Sequence, residues 1–86
     1  MKINDLVNND YQCGTVKLND KYYLFVERLE PVDGEEDILV ELFDNVENDC
    51  LCNCLEYVGH TFTSDTDITD LIKYAHKVTK LYEKNN

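Results

Sequence analysis

An α+β fold, four antiparallel strands followed by one C-terminal helix laid on the sheet, is what this sequence predicts. Two observations carry the prediction. Short runs rich in Val, Leu, Tyr and Phe recur through the first two thirds of the chain, separated by turn signals. The last quarter changes period, with Ile68, Leu71, Ile72, Ala75, Val78, Leu81 and Tyr82 returning at helical spacing.

The elements follow in order. Residues 1–10, "MKINDLVNND", read as an N-terminal arm or a single helical turn. "CGTVKL" and "KYYLFVERL" form a hairpin about Asn19-Asp20, and "EPVDGEED" reads as a loop because Pro31 blocks ladder pairing and Asp33-Gly34 signals a turn. In "DILVELFDNV", Ile38, Val40 and Leu42 share one face, while Leu39, Glu41 and Phe43 share the other. "ENDC" turns the chain into a fourth strand, "LCNCLEYVGHTF", so the strands occupy 11–62. The helix is expected over 66–84, with Ser64 to Thr66 offering cap oxygens, and Asp67 and Asp70 placed where the helix dipole favours acids. Lys73, Lys77, Lys80 and Lys84 line its polar side.

Eighty-six residues form a single domain, 1–86, and 43% apolar content is too high for a disordered chain. No apolar run reaches the length of a membrane span, and the first residues lack a signal-peptide pattern, so the chain is expected in the cytoplasm of a bacterial cell with reduced thiols. One Ala, one Arg, one Pro and no Trp, beside abundant Asn, Lys, Asp, Ile and Tyr, match AT-rich codon usage, as in low-GC bacteria and their phages.

Charge is segregated. The net charge is −10, and 13 of the 18 acids fall between Leu29 and Ile72, 44 residues that contain no Lys or Arg. A field of that sign disfavours nucleic acid and anionic membranes as direct partners. The acids form the candidate binding surface: Glu35, Glu36, Asp37, Glu41, Asp44, Glu47, Asp49 and Glu56, on the third and fourth strands and their loops. Alternate carboxylates on a strand stand roughly 6.5–7 Å apart, near the spacing of successive phosphates on one nucleic-acid strand. Acid-rich loops are also commonly plain solvated surface. Tyr11, Tyr22, Tyr23 and Tyr57 are the aromatic candidates for anchoring an interface.

Cys50, Cys52 and Cys54 at alternate positions are too far apart for a disulfide and lack the Cys-x-x-Cys spacing of zinc knuckles. Small reduced core residues are the bland reading. A metal module built from Cys13, Cys50, Cys52 and Cys54 requires the first and fourth strands to meet. His60 and His76 stand without a nucleophile motif, and three glycines leave no phosphate loop, so no cofactor and no enzymatic activity are expected.

"GTVKLNDKYYLFV" resembles the first hairpin of a small, strongly bent SH3-like barrel, a likeness of fold alone. "MKINDL", with Asp10-Tyr11 and Thr15-Val16-Lys17-Leu18, resembles the opening of phage-borne type II-A anti-CRISPR proteins of similar length and acidity, up to Leu18 and with a gap. That resemblance implies an inhibitor of a Cas nuclease, a class of small acidic proteins some of which occupy the arginine-rich cleft with which Cas9 reads its PAM duplex. The expectation is therefore a phage or mobile-element protein that blocks a basic nucleic-acid-handling enzyme by DNA mimicry. The alternatives are the cysteine metal module, an immunity protein or antitoxin against a basic nuclease, and an SH3-like structural domain; a homodimer is compatible with each.

Overall fold

Residues 1–32, 35–44 and 54–85 are described in the structure, a computed structural model. The elements are α1 (Ile3–Val7), β1 (Cys13–Lys17), β2 (Tyr22–Val32), β3 (Glu35–Asp44), β4 (Cys54–Phe62) and α2 (Ile68–Asn85). The strands form an antiparallel meander in the order β1-β2-β3-β4, as the alternating runs predict. The sheet stays open, with β1 and β4 as its edges, so the closed barrel of the SH3-like resemblance does not form.

Asn19 makes the first hairpin. Its side-chain oxygen accepts the N–H groups of Lys21 at 2.8 Å and Tyr22 at 2.9 Å, fixing the turn that sets Val16 opposite Leu24. The expected loop around Pro31 is instead strand. β2 runs on to Val32, and the register moves by one residue between Leu29↔Asp37 and Val32↔Glu35. One extra residue on β2 makes a bulge there, and a bulge tolerates the N–H that proline lacks. The Asp33-Gly34 turn and the "ENDC" turn lie outside the described residues.

One face of the sheet is the core. Tyr22, Leu24, Val26, Ile38, Val40, Leu42 and Val58 are buried there beneath Ile3 and Val7 of α1 and Ile68, Leu71 and Ala75 of α2. Gly14 lets α1 settle: a Cβ at that position would stand 2.7 Å from the Leu6 carbonyl oxygen. The buried stripe of α2 departs from the expected one at two places. Leu81 is 61% exposed, and Thr79 is buried in its stead, its hydroxyl donating to the His76 carbonyl at 2.8 Å. A threonine whose hydroxyl is satisfied within its own helix buries at little cost.

The N-terminal residues are tied to the start of α2. The Ile68 N–H donates to the Met1 carbonyl at 2.9 Å, while the Ile3 and Asn4 N–H groups donate to the carbonyls of Thr66 and Ser64, each at 3.0 Å. Two helix N-termini thereby satisfy each other's backbone donors. Among the described residues no helix is long and apolar enough to cross a membrane.

Candidate protein-binding face

Alternation along each strand sends every second side chain away from the core, and among the described residues neither helix covers that side. The registers line these residues into rows. Thr15, Phe25, Glu41 and Tyr57 face one another across the four strands; beside them run Lys17, Tyr23 and Phe43, then Cys13, Glu27 and Leu39, then Leu29 and Asp37. Phe43 stacks on Tyr23 with ring centroids 5.5 Å apart and meets Phe25 edge-on at 6.1 Å. Such pairs hold each other rigid and keep a half-buried apolar cluster from rearranging.

Leu39 is the centre of the acidic part. Asp37 and Glu41 flank it along β3, and Glu27 faces it from β2. Diagonal neighbours in an antiparallel pair lie about 7–8 Å apart, so the three carboxylates ring one leucine. Tyr57, on edge strand β4, is 47% exposed beside them. Partial burial pushes its phenol above the ordinary tyrosine range, and the negative charges of Asp37 and Glu41 add to the shift. Lys17 is the one cation that the register sets on this face among the described residues, and its ammonium lies 3.5 Å from Asp20 at the hairpin tip.

The predicted acids are thus divided rather than gathered. Asp37 and Glu41 share the uncovered face. Asp44 ends β3 opposite Tyr22, on the other side. There the Lys21 ammonium is raised above its ordinary range chiefly by its hydrogen bond to Glu83, 3.2 Å away, with smaller contributions from Tyr22 and Asp44. Glu56 pairs with Leu42 and borders a groove between β4 and α2. Glu35 and Glu36 open β3 with only their backbone described, and Glu47 and Asp49 lie outside the described residues. Asp37 and Glu41 are four residues apart, about 13 Å along a strand and roughly twice the phosphate-like interval. Charge is therefore presented as a patch around rings, not as a line.

Of the aromatic candidates, Tyr22 is a core residue, only 6% exposed, with its ring edge-on to Tyr82. Tyr11 is 86% exposed on the turn before β1, where Asn9 accepts the Tyr11 N–H at 2.9 Å and donates to the Cys13 carbonyl at 2.6 Å. Glu27, Phe25 and Phe43 belong to the face but were not among the predicted site residues. The hairpin register from Asn19-Asp20 is the signal that joins them.

For the cysteine set, the strand order places β2 and β3 between Cys13 on β1 and Cys54 on β4. Cys50 and Cys52 lie outside the described residues. Among the described residues no three His, Cys, Asp or Glu side chains stand close enough to hold a metal ion. Comparison with protein-family models, curated proteins and solved structures finds no match to this chain.

Proposed function

We propose that this chain is an inhibitor protein of a phage or mobile element that docks its uncovered sheet face on a basic, nucleic-acid-handling enzyme. An anti-CRISPR acting on a Cas nuclease is the most specific form of the reading. The observation that supports it is the composition of one face: Glu27, Asp37 and Glu41 around Leu39, bordered by Phe25, Phe43, Tyr23 and Tyr57. Carboxylates on such a face steer a basic surface into place and exclude DNA itself, while the rings supply the desolvated area from which most binding energy comes. Blocking follows from occupancy, because an enzyme surface that holds this face cannot hold phosphates.

The test is capture of partners from host lysate at low and high salt, followed by affinity measurements on the captured enzyme. Asp37→Lys with Glu41→Lys is expected to weaken binding by about a hundredfold and to flatten its salt dependence, with the fold intact. Phe25→Ala is expected to weaken it about tenfold or more without changing the salt slope. Duplex DNA should compete for the enzyme. Charge reversals that leave affinity unchanged would end the mimicry reading even with a nuclease in hand.

A further inference from the structure

We draw no further inference here: the strongest candidate, the line of exposed lysines Lys73, Lys77, Lys80 and Lys84 along the outer side of α2, shares its side of the sheet with Asp44, Glu56, Asp70 and Glu83, and nothing among the described residues shows what covers it.

Discussion

Tyr22 and Tyr57 are two phenols with opposite surroundings and the same direction of shift. Burial raises Tyr22 most, with Glu83 adding to it; partial burial and then Asp37 and Glu41 raise Tyr57. In each case the folded pKa lies above the unfolded value near 10, so between those values the folded chain binds more protons. Stability is therefore intact below about pH 10 and falls as pH rises through the raised values. Urea midpoints between about pH 8 and about pH 11 should show that loss, and Tyr22→Phe should reduce it. A Tyr22→Phe profile identical to that of the parent would show that Tyr22 does not govern the alkaline limb. Tyr22 also marks a boundary of what sequence discloses. Two adjacent tyrosines on a strand point to opposite faces, and composition alone treats both as anchors; the partners Leu24 and Val26 put Tyr22 inside and Tyr23 outside. The same alternation divides the acids, because Asp37 and Glu41 share a parity that Asp44 does not.

Among the elements, α2 is the most legible and the sheet the least predictable at its bends. The periodicity of α2 locates its core side, since Leu71 is fully buried and Ile72 and Val78 are partly so. Leu71→Ala should cost roughly 2–5 kcal/mol in chemical denaturation, a large share of the stability of a domain this size. Leu81→Ala should be nearly silent in the same measurement, although both leucines fall within the apolar pattern. Similar losses at the two sites would mean that the helix is rotated from the orientation described. The sequence did not distinguish Leu81 from Thr79 because 3.6-residue spacing marks a broad stripe, and a hydroxyl bonded to its own helix hides polarity. Pro31 misled for a related reason: proline is excluded from a regular ladder, whereas β2 meets it with a bulge, and a bulge leaves no mark in composition.

Over the whole molecule the acids outnumber the bases by 18 to 8, and the strand registers divide the acids between the two sides of the sheet. Glu27, Asp37 and Glu41 lie on the uncovered face, while Lys73, Lys77, Lys80 and Lys84 are exposed on α2 across the core. Self-repulsion within the acidic half opposes the compact state. Raising sodium chloride from low to physiological concentration should therefore raise the melting temperature by a few degrees, and Asp37→Asn with Glu41→Gln should reproduce part of that gain at low salt. A melting temperature that falls with salt would mean that attraction, not repulsion, dominates the surface. The legible part of the site was its sign; its shape was not, because rows across a sheet depend on registers that only the folded chain defines. The pairing of Met1 and Ile3 with residues 66–68 has a temporal consequence. A ribosome delivers residues 1–7 before the segment that receives their backbone donors, so water holds those N–H groups until residues 64–68 have been made. Closing so long a loop is entropically late, which makes the docking of the two helix starts a closing step of folding.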